Sequence, residues 1–331
     1  MVVGSLVVVR IKDMNTIIQS DIIFDPTSHT YLRKGKPYIS CTTIVSKFKK
    51  PFNRRYWAMY STLKETFHLR VRAEEEYEII YVNNTPHSLD SLYSIEMYRE
   101  GCKMMKNGWD DTTKVACDRG NKIHDYLEGS VNDSKNDSEG DTNITIKPLT
   151  GEEIQFYSSQ HDLDKTNLLS IFPKIYHTLL YYINTGCTIY AEKKVYIDEY
   201  EVSGMIDCLV VKGNKFLIID WKTNKDIIHF KSGYYKKELI NGKYIKTNQW
   251  LDKPMPMLYP LTYLEDCKGT IYTLQVSLYA YMLESWGYEL INNGLLIYHI
   301  RPNEEPELLK VPYMKEDIRL MLNYYKQNLV A

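Results

Sequence analysis

Asp207, Asp220 and Lys222 are the residues of this chain best suited by type and spacing to do chemistry. Asp207 interrupts the apolar stretch Met205-Ile206-Asp207-Cys208-Leu209-Val210-Val211, and Asp220 ends Phe216-Leu217-Ile218-Ile219. Strand periodicity puts Asp220 and Lys222 on one face and Trp221 on the other. The Gly213-Asn214 turn makes the two stretches a hairpin and sets Asp207 opposite Asp220. Two carboxylates on a largely apolar sheet cost on the order of several kcal/mol unless something neutralises them. A hard divalent cation, Mg²⁺ or Mn²⁺, does so through oxygen ligands. Lys222, one pleat away from Asp220, then orients a water or offsets phosphate charge. The same spacing also fits a buried Asp–Lys pair that closes a sheet edge, because structural ion pairs are common.

Two helical segments add to this set. Arg119-Gly120-Asn121-Lys122-Ile123-His124 places His124 one turn after Gly120. A glycine inside a helix costs ~1 kcal/mol relative to alanine, so Gly120 points to close packing. A lone helical histidine is most often structural or solvated, and imidazole is also a usable metal ligand. Gln275 and Tyr279 lie four apart and so share a helix face, as they would on any amphipathic helix.

Taken in order, these pieces resemble the RecB-like branch of the PD-(D/E)XK nucleases. They are Gly120-x-x-x-His124, Gly204-x-x-Asp207, Asp220-x-Lys222-Thr223 and Gln275-x-x-x-Tyr279. Ala191-Glu192-Lys193 is similar to the Glu-bearing strand that precedes the Asp motif there. The resemblance runs from about Arg119 to Trp286, roughly half the chain. A softer similarity, through His29-x-Tyr31, Ser40-x-Thr42 and Tyr56-Trp57-Ala58, is to stand-alone phage, viral and mitochondrial single-strand exonucleases.

The resemblance implies a restriction-endonuclease-like α/β (α+β) core, a mixed central sheet flanked by helices. It implies that His124, Asp207 and Asp220 bind Mg²⁺ or Mn²⁺, with the Trp221 carbonyl as a further ligand. Lys222 would activate the attacking water, Gln275 and Tyr279 would brace the site or touch the DNA backbone, and Glu192 would be an auxiliary carboxylate. The implied activity is a metal-dependent DNA exonuclease acting on single-stranded or frayed ends in replication, recombination or repair, with a helicase or recombinase as a possible partner. The alternatives are a double-strand-end resecting recombination exonuclease and a catalytically silent DNA-binding relative. The iron–sulfur branch needs cysteines after the Tyr motif; none follows Cys267, so no iron–sulfur cluster is expected. The chain also lacks a P-loop and hence a fused helicase motor.

Composition sets outer bounds. The 331 residues are 44% hydrophobic and 25% charged, which excludes a collagenous, wholly disordered or disulfide-framework protein. The balance of 41 basic and 42 acidic residues gives no global nucleic-acid footprint, so any must be local. Six scattered cysteines without a CxxC pair read as reduced thiols rather than a zinc site. No apolar run reaches the ~18–20 residues that span a bilayer, and the apolar start Met1–Val9 reads as a strand or added leader rather than a signal peptide. The expectation is a cytoplasmic protein, in the host cytoplasm if viral.

The local basic candidates are Lys47, Lys49, Lys50, Arg54 and Arg55, interleaved with Phe48, Phe52, Tyr56 and Trp57. Cations beside rings suit a single-strand groove; they equally suit a solvated helix end whose rings are buried. A second candidate contains Tyr235, Lys236 and Lys237, with Trp250 as a stacking residue.

The elements expected to position the site fall in two parts. Residues 1–110 form an N-terminal hairpin around Lys34-Gly35 and a helical elaboration, with Ser40 or Thr42 capping a helix and a helical stretch from Asn53 to about Tyr81. Residues 83–90 read as a loop before a helix through Leu92. Residues 111–331 form the nuclease core: helices at 112–128, 151–161 and 171–185, strands at 191–197, 202–212 and 215–221, a helix at 270–286, a strand at 294–300 and a helix at 315–329. Two insertions interrupt it, a mobile polar one at 129–150 and a loop-like Lys/Tyr-rich one at 230–269.

Overall fold

The computed structural model describes residues 20–136, 168–241 and 243–328, apart from 26, 27 and 29. The start of the chain, most of the 129–150 segment and the helix expected at 151–161 lie outside the described residues. The chain divides into two compact units. One comprises the chain up to Phe48, Gly120–Phe230 and the chain from Pro256 on; the other comprises Lys49–Arg119 and Lys231–Met255.

The larger unit is a mixed sheet with helices on both faces. Strands β1 (Ile23–Asp25), β2 (Thr30–Arg33) and β3 (Lys36–Ser40) form a meander, turned at Lys34-Gly35 with both residues at positive φ. Ser40 then caps helix α1 (Cys41–Ser46), its hydroxyl accepting from the Thr43 N–H. Strands β7 (Thr188–Ile197), β8 (Val202–Lys212) and β9 (Lys215–Lys222) run antiparallel in succession. Strand β12 (Glu289–His299) lies parallel to β9, and β13 (Glu307–Lys310) closes the edge. Parallel pairing of β3 with β8 makes the sheet mixed at its other end too.

Alternating side chains feed two apolar layers. Phe216 and Ile218 pack with helices α7 (Lys268–Ser285) and α8 (Lys315–Asn328), whereas Leu217, Ile219 and Trp221 pack in the opposite layer. That second layer contains Ile123, Leu127 and Val131 of helix α4 (Glu96–Asn136) and residues of α6 (Pro173–Asn184), which follows the short α5 (Leu168–Ile171). Helix α7 is buried on nearly every side, with every residue from Thr273 to Ala280 in the interior. A helix apolar all round belongs to a core rather than a surface, so Gln275 sits on no ordinary amphipathic face.

The smaller unit departs from the helical expectation. Only Arg54–Ser61 (α2) and a turn after it are helical before residue 71. Strands β4 (Val71–Glu74), β5 (Ile79–Val82) and β6 (Thr85–Ser88) form an antiparallel sheet, so the helical stretch expected up to Tyr81 and the loop at 83–90 are both corrected. Asn83 and Asn84 both take positive φ, the two-residue hairpin turn that pairs β5 with β6. Helix α3 (Leu89–Tyr93) follows, and Tyr56, Met59, Leu63, Ile80, Leu89 and Leu92 share one core.

Two further corrections concern the insertions. Helix α4 continues to Asn136, past the helix end expected at residue 128. The Lys/Tyr-rich segment is a hairpin, β10 (Gly233–Ile240) with β11 (Lys243–Asp252), rather than a loop. Its sequence carries Asn241-Gly242, a strong two-residue hairpin signal between alternating residues. Among the described residues no helix is long and apolar enough to cross a membrane.

Candidate active site

Strand pairing brings the two carboxylates together. Cys208 pairs with Ile219 and the ladder stops there, so continuing the same register sets Asp207 opposite Asp220. Beyond this point β9 stays paired only to β12, through Ile297↔Asp220, Tyr298↔Trp221 and His299↔Lys222. The other edge of β8 is taken by β7 except at Asp207, where the ladder skips Glu192, while on this edge β3 covers Val202 and Ser203 only. Gly204–Asp207 therefore lie in a fork between β3 and β9. Asp207 Oδ2 fills part of it by accepting the Trp221 N–H at 2.8 Å, the donor the ladder leaves over.

The strand faces also change sides at this level. Ile189 and Ala191 pack in the α4 layer, yet Val195 and Ile197 pack in the α7 layer. Cys208 and Val210 against Val202 and Ile206 show the same exchange. Glu192, at φ +47°, makes the exchange on β7 beside Asp207. A non-glycine residue in left-handed backbone inside a strand costs on the order of 1–3 kcal/mol, and such strain concentrates at working sites.

Lys222 is the centre of the polar network. Its Nζ lies 2.6 Å from Asp220 Oδ2, with the two side chains 14% and 1% exposed. It donates to Gln275 Oε1 at 3.1 Å, and Gln275 Nε2 donates to the Tyr279 hydroxyl at 2.9 Å. The Tyr272 ring, 4.8 Å from Nζ, supports the ammonium from another side. Burial works against the Lys222 charge, but Asp220 and Asp207 outweigh it and hold the ammonium above its ordinary pKa. Asp220 Oδ1 is buried with no hydrogen-bond partner, a costly state for a carboxylate oxygen.

The surrounding groups respond to the same field. Burial, then the Asp220 charge, pushes the Asp207 carboxyl up to about 8. Burial, then Glu128 and Asp207, pushes Glu192 up to about 7. Burial lowers His124, with Asp220 opposing, so the imidazole is neutral at pH 7; its Nδ1 lies 3.7 Å from Asp207 Oδ1. Among the described residues no group of three or more His, Cys, Asp or Glu is arranged to hold a metal ion. The donor chemistry nonetheless fits a hard cation, on the unpartnered Oδ1 of Asp220, the charge-burdened Asp207 and the neutral imidazole beside it.

Gly204 is a packing requirement, and Gly120 makes a close approach to a side chain. A Cβ at Gly204 would stand 2.5 Å from Tyr279 Cε1 and 2.8 Å from Cys41 Sγ; one at Gly120 would stand 3.1 Å from Thr223 Oγ1. Gly204→Ala is expected to cost about 1–3 kcal/mol by overpacking and to shift Tyr279, seen as a lower urea midpoint and weaker activity together.

Residue-type reading misses His299 and Asn224. His299 is fully buried beside Lys222, its Nε2 2.8 Å from the Asn224 carbonyl, and Tyr272 donates to Asn224 Oδ1 at 3.3 Å. These contacts tie the segment after Lys222 to β12 and α7. Burial depresses the His299 pKa, so the unfolded chain binds the extra proton and stability falls as pH drops below about 6.5. Urea midpoints at pH 7.5 and 5.5 should show this loss, and His299→Gln should reduce it. The missed signal for Tyr272 is its place three residues before Gln275.

The expected DNA contacts fare unevenly. Tyr56 and Phe48 are buried, and Trp57 donates to Glu75 Oε1 at 2.9 Å. Arg54 pairs with Asp110 at 2.7 Å, and Arg55 pairs with Asp90. Lys237 pairs with Glu65 and Lys236 with Glu238, while Tyr235 packs on Trp250 and under Lys246. Lys47 and Lys50 are exposed and Lys49 half-buried. Lys47 belongs to the larger unit and Lys49, Lys50, Arg54 and Arg55 to the smaller. No protein-family model matches this chain, and no curated protein is similar to it.

Proposed function

We propose that the chain is a metal-dependent DNA nuclease, an exonuclease acting on single-stranded or frayed ends. One observation carries the reading: Asp207 and Asp220 meet on neighbouring strands around a protonated Lys222, with an Asp220 oxygen left unpartnered in the interior. A purely structural ion pair has no need of the second carboxylate, which only raises its cost.

Asp207, Asp220, His124 and the Trp221 carbonyl would hold Mg²⁺ or Mn²⁺. Such an ion, when bound, makes a water nucleophilic near neutral pH and offsets charge on the phosphate. The chain's own residues do the rest. Lys222 keeps a positive charge beside the carboxylates, where it orients water and counters the phosphate. Gln275 fixes the direction of that ammonium, and Tyr279 fixes the Gln275 amide. His124, kept neutral, retains a free lone pair for coordination. Glu192, held near neutrality in its titration, is an auxiliary carboxylate that exchanges a proton at working pH.

End-labelled single-stranded DNA is the test. Wild-type protein with Mn²⁺ or Mg²⁺ should release the label or shorten the strand progressively, and EDTA should stop it. Binding without cleavage in either metal would return the chain to a silent DNA-binding relative.

A further inference from the structure

We propose that a cationic cavity in the smaller unit, built from none of the residues assigned to catalysis, grips the phosphodiester backbone of a single-stranded nucleic acid. The cavity has a volume of about 560 Å³. Helix α2 lines it with Arg54 and Arg55, and α4 lines it with Arg99, Lys103, Lys106 and Asp110. The α4 residues recur at steps of four, three and four and so share one helix face. Cys102 fixes that face, since it is buried with its Sγ 3.8 Å from Met59 Sδ.

The charge is concentrated beyond what the fold needs. Five lining side chains are cationic against one carboxylate, in a chain whose formal net charge is −1. Tyr93 gathers two of them, with the Arg55 guanidinium 4.6 Å and the Lys106 ammonium 5.5 Å from its ring centroid. Asp110 and Asp90 engage Arg54 and Arg55. Among the described residues no carboxylate pairs with Arg99, Lys103 or Lys106. Like charges held together repel, and a polyanion is the ligand that turns this cost into affinity.

Aromatic rings at the same place point to a single strand. Phe52 is 64% exposed and lies 5.8 Å from Trp109, centroid to centroid. Trp109 precedes Asp110 in the chain, and the Arg54 N–H donates to the Phe52 carbonyl at 2.9 Å. The ring pair is thus joined to both partners of the Arg54–Asp110 bridge. Cations for phosphates beside an exposed ring for a base are the elements of single-strand recognition, and a duplex offers no free base face. The choice of a nucleic acid over a free phosphate rests on these rings and on the nuclease reading; the cationic cavity itself does not.

The test is fluorescence anisotropy of a labelled oligothymidylate with the full chain in EDTA, so that no cleavage occurs. Arg99→Gln combined with Lys103→Gln changes exposed side chains only. It should weaken binding roughly 25-fold at 0.1 M salt and flatten the slope of log affinity against log salt by about 1.4, at about 0.7 per lost contact. Asp110→Asn removes the one carboxylate that lines the cavity and should tighten binding. An unchanged affinity and slope in the double variant overturns the proposal. Displacement of the strand by inorganic phosphate, beyond that by chloride at equal ionic strength, overturns it in favour of a small phosphate ligand. The nuclease reading fails separately, if wild type saturated with DNA does not cleave in Mn²⁺.

Discussion

Lys222→Ala is expected to remove cleavage and, at the same time, to weaken the fold. Lys222 is the only cation beside Asp220 among the described residues, and Asp220 is 1% exposed. Removing one partner of a buried ion pair strands the other charge and costs about 3–5 kcal/mol. Gln275 Oε1 also loses its donor. Loss of a positioned cation and proton donor in phosphate hydrolysis lowers the rate by about 10²–10⁴-fold. Single-turnover cleavage together with a urea melt separates the two effects, because the rate is read on protein still folded. A variant as stable as wild type would mean that Asp220 does not depend on this ammonium. A variant that cleaves at the wild-type rate would remove Lys222 from the chemistry.

Asp207→Asn should behave in the opposite way for stability. Its carboxyl titrates at about 8 in the fold, against ~3.9 for a free aspartate. A group whose folded pKa is raised stabilises the fold fully below its unfolded pKa, and that advantage drains away as pH rises through about 8. At pH 7 the fold therefore holds a proton that a free aspartate would have released, and that is a burden. The amide is neutral without taking up a proton, keeps an oxygen for the Trp221 N–H, and should stabilise the metal-free protein on the order of 1–4 kcal/mol. Cleavage should vanish. Addition of Mn²⁺ should raise the melting temperature of wild type by binding the native state and leave the variant unmoved. A variant less stable than wild type in EDTA would show that the Asp207 charge supports the fold.

Much of this site is legible in the amino-acid sequence itself. Period-two alternation alone places Asp220 and Lys222 on one face, and the Gly213-Asn214 turn alone places Asp207 across from Asp220. Gly120 announces a close approach, which Thr223 makes. Other features depend on long-range contacts and leave no local mark. The Trp221 N–H bond to Asp207 exists because the β8–β9 ladder stops, and nothing in either strand states where β3 ends. The exchange of faces at Glu192 breaks the alternation that sequence reading relies on. Residues 71–88 are charge-rich and short-stranded, so their period of two is masked by apparent helical spacing. Arg54 and Arg55 read as free cations until the fold brings Asp110 and Asp90 to them. Arg99, Lys103 and Lys106 are the converse: their helical spacing is visible, but they form no contiguous basic run.

The fork in β8 also sets which lengths of chain can vary. Gly204 and Asp207 bound the four residues left between β3 and β9, and each answers to a fixed neighbour, Tyr279 for one and the Trp221 N–H for the other. A single deletion between them would turn Asp207 to the opposite layer, because a strand reverses its side chains with every residue. At the far end of the same hairpin a Cβ on Gly213 would meet no neighbouring atom, and the contact there is backbone to backbone, the Asn214 carbonyl accepting the Glu289 N–H. Residues added in pairs about Gly213-Asn214, one to each strand, would lengthen the ladder outward and leave the register at Cys208↔Ile219 untouched. Length drift in this protein is therefore directional, tolerated at the tip of the hairpin and forbidden at its mouth.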